Sequence, residues 1–470
     1  MDFGFTREDE DFRAEARQWL HDHLTGDFAG ATGEGGPGRE HQATVVRRRW
    51  ERELGAAGWI GIGWDPRHGS YGNRTATLTQ QVVWAEEYAR AGAPARVGHI
   101  GENLLAPTLL AHGTAEQRQR FLPAIARGEE LWCQGYSEPD AGSDLAAVRT
   151  TAVRTSAVRA TAVRAGGVRA DGVRTGTVGG LGAGGGAGGY RVTGQKIWTS
   201  LAQEADWCFV LARTEQGTSG HRGLSFLLVP MDQPGRVEVR PIRQMSGTEE
   251  FNEVFFDGAL AEAGHRVGAE GDGWRVATSL LALERGVSTL AQQIGFAAEL
   301  DRVLRLALRT GAAADPVLRD RLVRAWSQLR VMRWNALRTL GGTGSGTGTG
   351  AGAGTATGTG AGSDSGTRTG SGSRTTTDGS GDAAVPGAPS VAKLLWGCWH
   401  QQLGELAVLV RGAPAALGPY DWTPHRPYEL DALQRLFLFT RADTIYGGSD
   451  EIQRDILAQQ VLGLPREART

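Results

Sequence analysis

Hydrophobic periodicity changes twice along this chain, and the order of those changes limits its fold more than any other feature. Up to about residue 130, apolar side chains recur at helical spacing, as in residues 6–25 behind the capping residue Thr6. Short runs such as ADWCFVLART, GLSFLLVPM and NEVFFDG follow, and their β-branched and aromatic residues between turn residues are typical of strands. Helical periodicity returns near Gly271. This order predicts an α+β, mostly α chain and argues against a βαβ nucleotide-binding fold.

Two segments depart from this pattern and are interpreted as insertions. Residues 148–189 repeat Val-Arg every five residues and end in a glycine tract. A basic arm that binds an anion and a five-residue β-solenoid are alternatives, but we favour a flexible surface hairpin because the repeats could bury no core. Residues 341–386 are rich in Gly, Ser and Thr, which predicts a disordered loop between two helices. Neither insertion is expected to carry catalysis.

Charge and cysteine content argue against several classes of protein. A formal net charge of −2 is unsuited to nucleic acid or an anionic membrane as the main partner. The three cysteines, Cys133, Cys208 and Cys398, form no C-x-x-C pair and lie near no histidine cluster, so we expect no metal site. The first residues are acidic where a secretory signal is basic, and no apolar run reaches the length of a membrane span. We therefore expect a soluble cytoplasmic protein.

Two polar stretches stand out, one at the change from helices to strands and one beyond the first insertion. The first, CQGYSEPDAGSDLA at 133–146, offers hydroxyls and backbone N–H groups that suit the polar edge of a cofactor, but it is equally compatible with an ordinary capped loop. The second, YRVTGQKIWTS at 190–200, ends a strand in a tryptophan and two hydroxyl residues. That tryptophan could stack on a flat ring or belong to the core, and the residues alone leave both interpretations open.

In this order, the stretches resemble the acyl-CoA dehydrogenase family over nearly the whole chain apart from the insertions, in the form found in actinobacteria. The matching text is GTAEQRQRFLPAIARGEELWCQGYSEPDAGSD, GQKIWTS, GLSFLLVPM, NEVFFDG, LALERG and IYGGSDEIQR…VLGLPRE. The resemblance implies an N-terminal helical domain over 1–130, a middle β-barrel or β-sandwich domain over 131–258 and a C-terminal four-helix bundle over 259–470. It also implies that FAD binds between them.

The resemblance further implies which residues contact the cofactor and the substrate. The implied FAD-binding residues are Gln134, Tyr136, Ser137, Trp198, Thr199, Ser200, Gly448 and Ser449, with Trp198 packed on the isoalloxazine and Ser200 near N5. The implied substrate-binding residues are Ser143 by the pantetheine arm, Arg285 and Tyr446. The family's Arg-x-Phe-Gly and Gln-x-x-Gly-Gly-x-Gly stretches have no clear match here. Contacts across a dimer interface are therefore expected to differ from the family pattern.

The position of the catalytic carboxylate is the main departure from many members of the family. They place a glutamate directly after the tyrosine of the last motif, where this chain has Gly447. The isovaleryl and long-chain members share this glycine and bring the glutamate from an earlier helix, immediately before an arginine. Glu284, followed by Arg285, is the matching residue and the predicted general base. The acids at 450–451 are better explained as helix-start residues.

Helical periodicity supports Glu284 independently of the resemblance. Glu284 shares a helical face with Trp274, Ala277 and Leu281, and a carboxyl group in an apolar stripe tends to have a raised pKa. The alternative is a solvated or ion-paired helix residue, since Leu280 widens the apolar stripe. A raised pKa would suit a base that removes the weakly acidic α-proton of a thioester.

Gly447 and Gly448 raise the question of what must approach the backbone so closely. Glycine lets a ligand touch the main chain, and the resemblance implies that the N–H of Gly447 binds the thioester carbonyl and stabilises the enolate. Gly448 and Ser449 would open a helix whose first N–H groups suit a phosphate of FAD. The alternative is a helix–helix turn that needs glycine for its conformation.

The predicted function is FAD-dependent acyl-CoA dehydrogenation, with Glu284 taking the α-proton and the β-hydride going to flavin N5. An electron-transferring flavoprotein is the expected acceptor, and a homodimer, homotetramer or heteromer is the expected assembly. The alternatives are an acyl-CoA oxidase-like flavoenzyme and a non-catalytic subunit of a heteromeric dehydrogenase. Chain length, branching and any ring system of the acyl group cannot be read from the sequence.

Overall fold

A computed structural model describes residues 5–156, 188–341, 387–417 and 430–465, together with two short strands at 167–168 and 174–175. Within these ranges the side chains of residues 282–291 and 337–341 are not described. The rest of the two predicted insertions lies outside the described residues.

The first part of the chain is helical. Its helices are α1 (Arg7–His23), α2 (Gly26–Gly30), α3 (Thr44–Ala56), α4 (Leu78–Arg90), α5 (Ala106–His112) and α6 (Ala115–Ala126). As predicted, Thr6 caps α1, and its hydroxyl accepts the N–H of Asp9 at 3.2 Å in a capping box. Buried tryptophans form the core between these helices, with the rings of Trp59 and Trp84 stacked at 4.1 Å.

The middle part is a mostly antiparallel sheet of eight strands. Strands β3 and β4, at 167–168 and 174–175, belong to the first insertion and form a separate pair. The strands of the main sheet, in chain order, are β1 (Trp132–Gly135), β2 (Thr151–Thr155), β5 (Gly189–Ser200), β6 (Trp207–Arg213), β7 (Leu224–Pro230), β8 (Val237–Ile242), β9 (Phe251–Glu262) and β10 (Arg266–Val267). Their order in the sheet is β10-β7-β6-β2-β5-β9-β8, and β1 pairs in parallel with β6. Every residue of β7 is buried, so this sheet is the core of the molecule's middle.

The first insertion leaves and re-enters the sheet at neighbouring positions. Thr155 at the end of β2 is the register partner of Gly189 at the start of β5. Between them, β3 (Gly167–Val168) pairs with β4 (Arg174–Thr175) as a separate antiparallel pair. Since Ala152 of β2 is buried in the sheet, the first residues of the segment 148–189 belong to the main sheet.

The last part is a helical bundle. It consists of α7 (Gly273–Thr310), α8 (Pro316–Gly341), α9 (Ala388–Arg411), α10 (Ala432–Phe439) and the short α11 (Asp450–Ile456). The indole N–H of Trp399 donates to the carbonyl of Ala325 at 2.9 Å and ties α9 to α8. The predicted α+β, mostly α fold is therefore confirmed, with helices on either side of the sheet in the chain.

The start of α7 is fixed against the sheet by a glycine. A Cβ at Gly273 would lie 2.6 Å from the backbone of Ser225 in β7, so only glycine permits this contact. The helix that carries the predicted base is thus anchored directly to the sheet. Among the described residues, no helix is both long and apolar enough to cross a membrane.

Candidate active site

The two polar motifs singled out in the sequence lie side by side. The N–H of Ile197, in the second motif, donates to the carbonyl of Ser137, in the first, at 2.9 Å. Parallel pairing of β1 with β6 places Gln134 beside Phe209. Tyr136 is buried and makes edge contacts with Phe209 and Phe226 at 5.9 and 6.3 Å. The structure therefore brings the two motifs into direct contact at Ser137 and Ile197.

A buried ion pair holds these two motifs together. The ammonium of Lys196, fully buried, lies 2.8 Å from the carboxylate of Glu138 and donates to the carbonyls of Tyr136 and Leu211 at 3.0 and 2.8 Å. The Glu138 carboxylate also accepts the backbone N–H groups of Arg149 and Thr150 at 2.6 and 2.9 Å. Every bond of this pair crosses between segments, so it fixes the loop after β1 onto the sheet.

Trp198 has a strained backbone and an exposed ring. It lies in a β-bulge where pairing with β9 shifts between Lys196 and Thr199, and its φ of 62° is in the left-handed region. For a residue with a Cβ this conformation costs about 1–2 kcal/mol. Its side chain is 56% exposed and meets Phe251 edge-on at 6.1 Å. A large apolar ring that stays exposed to solvent, on a backbone that is strained, indicates a binding surface.

The two hydroxyl residues after Trp198 differ in burial. Thr199 is 1% exposed, and its hydroxyl has no hydrogen-bond partner among the described residues, although a buried hydroxyl normally has one. Ser200, half-buried, is the register partner of Phe251 on β9. Ser143, the predicted contact to the pantetheine arm, lies exposed in the loop that follows Ala141.

The glycine turn before α11 contains two residues in the left-handed region of backbone conformation. Gly447 and Gly448 have φ of 65° and 85°. The buried side chain of Gln453 donates to both their carbonyls, at 3.1 and 3.3 Å. A Cβ at Gly448 would lie 2.4 Å from the Gln453 amide nitrogen, whereas one at Gly447 would meet only Lys393 Cε at 3.6 Å. Gly448 is thus required by packing, and Gly447 by its conformation.

Ser449 and Tyr446 flank this turn. The Ser449 hydroxyl caps α11 by accepting the N–H of Ile452 at 3.4 Å. The Tyr446 hydroxyl donates to Asp443 at 2.7 Å, and the ammonium of Lys393 lies 5.0 Å from its ring. The glycine turn is therefore held by Lys393 on α9 and by Asp443 in the loop that precedes the turn.

Glu284 and Arg285 lie on α7, and their side chains are outside the described residues. Upstream on the same helix, Ala277 and Leu280 are fully buried against the sheet. Glu284 follows Leu280 by four residues and so continues that helical line along the backbone. Its role as the base stays a prediction.

Lys196, Glu138, His400 and Asp443 are site-supporting residues that the sequence interpretation missed. Lys196 carried a readable signal: Tyr190, Val192, Gly194 and Lys196 alternate along β5, which puts the lysine on the inward phase of the strand. His400 falls between core positions Trp396 and Leu403 on α9. A charged or titratable residue in the inward phase of an element needs a partner, and that rule would have identified both.

Two cavities among the described residues lie away from the predicted site. One of about 680 Å³ is lined by Arg302, Arg305, Arg309 and Arg411 at the far end of α7, and one of about 270 Å³ lies between α4, α7 and α8. Neither is lined by a predicted site residue.

The chain thus consists of a helical part, a sheet that presents a strained tryptophan, and a second helical part. Models for the N-terminal, middle and C-terminal domains of acyl-CoA dehydrogenases match residues 6–129, 167–259 and 374–462. The chain is 49% identical over 460 residues to the acyl-CoA dehydrogenase IpdE1 of Mycobacterium tuberculosis, covering 98% of this chain and 99% of the relative. It belongs to the acyl-CoA dehydrogenase family and is an oxidoreductase that acts on acyl-CoA.

Solved structures agree with this assignment. The ChsE4-ChsE5 complex from Mycobacterium tuberculosis has a TM-score of 0.67 and 26% identity, covering 99% of this chain and 100% of the other. A variant of the protein described as the Tcur3481-Tcur3483 steroid ACAD has a TM-score of 0.69 and 25% identity, covering 98% of this chain and 99% of the other. The predicted family and reaction class are therefore confirmed.

The described residues fit the FAD that is expected in this family. A flat ring system needs an aromatic or apolar face to pack on, which the exposed indole of Trp198 offers. Its polar rim needs hydrogen-bond partners, and the half-buried Ser137 and Ser200 offer two hydroxyls.

Proposed function

We propose that this protein catalyses the α,β-dehydrogenation of an acyl-CoA thioester to the 2-enoyl-CoA. The observation that carries the proposal is the strained, exposed indole of Trp198, which lies two residues from the half-buried Ser200 and next to Ile197, the residue bonded to Ser137, because an exposed ring flanked by hydroxyls suits a flavin. Membership of the acyl-CoA dehydrogenase family supports the thioester as substrate.

In this proposal, Gln134, Tyr136, Ser137, Trp198, Thr199, Ser200, Gly448 and Ser449 hold FAD. Bound FAD supplies an acceptor for the β-hydride. The chain's own residues supply the rest: the carboxylate of Glu284 takes the α-proton, and the N–H of Gly447 binds the thioester carbonyl. Such a donor acts mainly on the developing enolate, and removing one typically costs about 3–4 kcal/mol of barrier.

Arg285, Tyr446 and Ser143 complete the substrate site in this proposal. The hydroxyl of Tyr446 is held by Asp443, which keeps its ring beside Gly447. Arg285 would bind a polar part of the substrate. Gly447 and the family position of Glu284 are shared with isovaleryl and long-chain members, and two structural relatives are complexes, one of them described as a steroid ACAD. We therefore propose a branched or ring-bearing acyl group.

For assembly, we propose pairing with a second copy or a related subunit through the outer face of α9. Val391, Leu395 and Leu409 on that face are 44–45% exposed and share one helical line. An electron-transferring flavoprotein would receive the electrons. The three cysteines are free thiols, which suits the cytoplasm as the compartment.

For the domain limits, we propose boundaries near residues 130 and 258. Helix α6 ends at Ala126 before β1 begins, and β9 is the last long strand before α7. We propose no catalytic role for the segment 341–386.

The proposed function is tested by flavin absorbance. The purified protein should be yellow, and an acyl-CoA panel of linear, branched and steroid-derived thioesters should contain one that bleaches it under anaerobic conditions. Rapid recolouring in air with peroxide release would favour an acyl-CoA oxidase. A colourless protein would favour a non-catalytic subunit.

The base is tested by Glu284→Gln, with Glu451→Gln as the matched control. The amide cannot accept the proton, so Glu284→Gln should keep FAD and lose bleaching. Glu451 is an exposed acid on α11 next to the glycine turn, and its replacement should leave bleaching unchanged. Full activity of Glu284→Gln would refute the assignment, and loss of activity in Glu451→Gln would move the base to the terminal helix.

A further inference from the structure

His400 lies in the bundle core with a carboxylate against each of its ring nitrogens. Nε2 is 2.7 Å from Glu299 on α7, and Nδ1 is 2.8 Å from Asp443 in the loop before the glycine turn. His400 is 5% exposed and Asp443 is fully buried. A carboxylate only accepts hydrogen bonds, so the two contacts are satisfied together by the imidazolium, which donates from both nitrogens.

Charged groups from three elements surround this imidazolium. Facing it are Glu299 from α7 and Asp443 from the loop, and on its own helix Lys393 donates to the backbone carbonyl of Asp443. Burial by itself would lower the pKa of His400, but the hydrogen bonds to Asp443 and Glu299 outweigh it and raise the pKa to about 9. The imidazolium is therefore the form present at neutral pH.

The second carboxylate oxygen of Asp443 links His400 to the glycine turn. Asp443 Oδ1 accepts the Tyr446 hydroxyl at 2.7 Å, and Tyr446 directly precedes Gly447. A continuous set of short bonds thus runs from α7 through His400 and Asp443 to the residue before Gly447. Helix α7 is also the helix on which Glu284 lies, about four turns before Glu299.

We propose that His400 is a positioning residue for the reaction: it clamps the turn 443–448 to α7, so that the Gly447 N–H and the helix carrying Glu284 keep a fixed relation. The inference rests on the proposed function, because it concerns how the carbonyl donor and the base are oriented. A preformed donor accelerates a reaction only while its geometry is held, and a displacement of about 1 Å can cost about 100-fold in rate.

The test compares His400→Gln with Trp399→Phe on the same helix. Glutamine has one amide donor group and one acceptor, so it cannot donate to both carboxylates from opposite sides. Trp399→Phe removes the bond to the Ala325 carbonyl and part of the ring packing beside Phe296, but it leaves both carboxylate contacts of His400 in place. We expect kcat of His400→Gln to fall about tenfold to 100-fold with little change in KM, because the lost orientation matters most in the transition state. Trp399→Phe should lower stability and leave kcat unchanged.

The pH profile separates a positioning role from a purely structural one. The kcat of the unaltered protein should decline as pH rises through the pKa of His400, since the imidazolium then loses one of its two bonds. His400→Gln should lack this decline. A His400→Gln protein with the kcat and alkaline profile of the unaltered protein would overturn the proposal.

Hydrogen–deuterium exchange of the peptide 443–449 distinguishes failure of the clamp from failure of the proposed function. Exchange needs no turnover, so it decides the point even if no thioester bleaches the protein. The clamp predicts faster exchange of this peptide in His400→Gln than in Trp399→Phe. Equal exchange in the two variants would overturn it.

Discussion

Replacing Lys196 by methionine tests whether the buried ion pair holds the cofactor-facing loop in place. Methionine fills a similar length but has no donor. The Glu138 carboxylate would stay buried with only two backbone N–H partners, and the carbonyls of Tyr136 and Leu211 would lose theirs. Removing one partner of a buried pair typically costs about 3–5 kcal/mol, a large share of the stability of an ordinary domain. We therefore expect unfolding at clearly lower urea concentration, together with loss of FAD.

The loss of stability caused by Lys196→Met should depend on pH, and the direction of that dependence is set by the pKa of Glu138. Burial opposes ionisation of Glu138, but Lys196, Thr150 and the N–H of Arg149 outweigh it and lower the pKa of the carboxyl. Burial also lowers the pKa of Lys196 despite the attraction of Glu138, and we take the pair as ionised because three oxygens surround the ammonium. A carboxyl with a lowered pKa stabilises the fold above its unfolded pKa and loses that contribution as pH falls.

In Lys196→Met, burial of Glu138 is no longer opposed by the ammonium, so its pKa should rise instead. Protonation then relieves the buried charge, and the stability difference between the variant and the unaltered protein should shrink between pH 7 and pH 5. Urea titrations followed by tryptophan fluorescence and flavin absorbance at both pH values measure this. The double variant Lys196→Met with Glu138→Gln should recover part of the loss. A Lys196→Met protein with an unchanged urea midpoint at pH 7 would refute the reasoning.

Three further predictions follow from the bundle. The pKa of His400 is raised from 6.5 to about 9, so protonated His400 contributes about 3 kcal/mol to the free energy of unfolding below pH 6.5 and loses that contribution as pH rises through 9. The thermal midpoint of the unaltered protein should therefore fall over that interval, whereas the midpoint of His400→Gln should not. In urea titrations, Gly448→Ala should lower the free energy of unfolding by about 1–3 kcal/mol more than Gly447→Ala. Both variants place an alanine in the left-handed region, but only Gly448→Ala displaces the Gln453 side chain, and equal losses would contradict this. Deleting residues 341–382 should leave the bleaching rate within about twofold, since joining two helix ends by a shorter loop changes little, and loss of turnover would assign that segment a role.

Local patterns along the chain were enough to predict the fold class. Helical spacing, the cap at Thr6 and the short β-branched runs are encoded within a few residues of each other, and each produced the expected element. The glycine turn was interpreted from the sequence mainly as a place of close ligand approach, whereas the structure shows the requirements of the alternative: both glycines have positive φ, and Gln453 leaves no room for a Cβ at Gly448. Motif order added the family, which the family models confirm.

The supporting contacts of the site were decided by the tertiary structure. Lys196 meets Glu138 from 58 residues away, and His400 joins residues from α7 and from the loop before α11 that lie 101 and 43 residues from it in sequence. No local rule selects a partner at such separations, because the partner is chosen by how strands and helices pack. The chain alone could indicate that Lys196 points inward and that Gly447 lacks a side chain. Only the packed molecule shows which charge neutralises Lys196 and which contacts hold Gly447 in place. The physical reason is that burial makes an unpaired charge costly, and only an opposite charge brought close by packing can offset that cost.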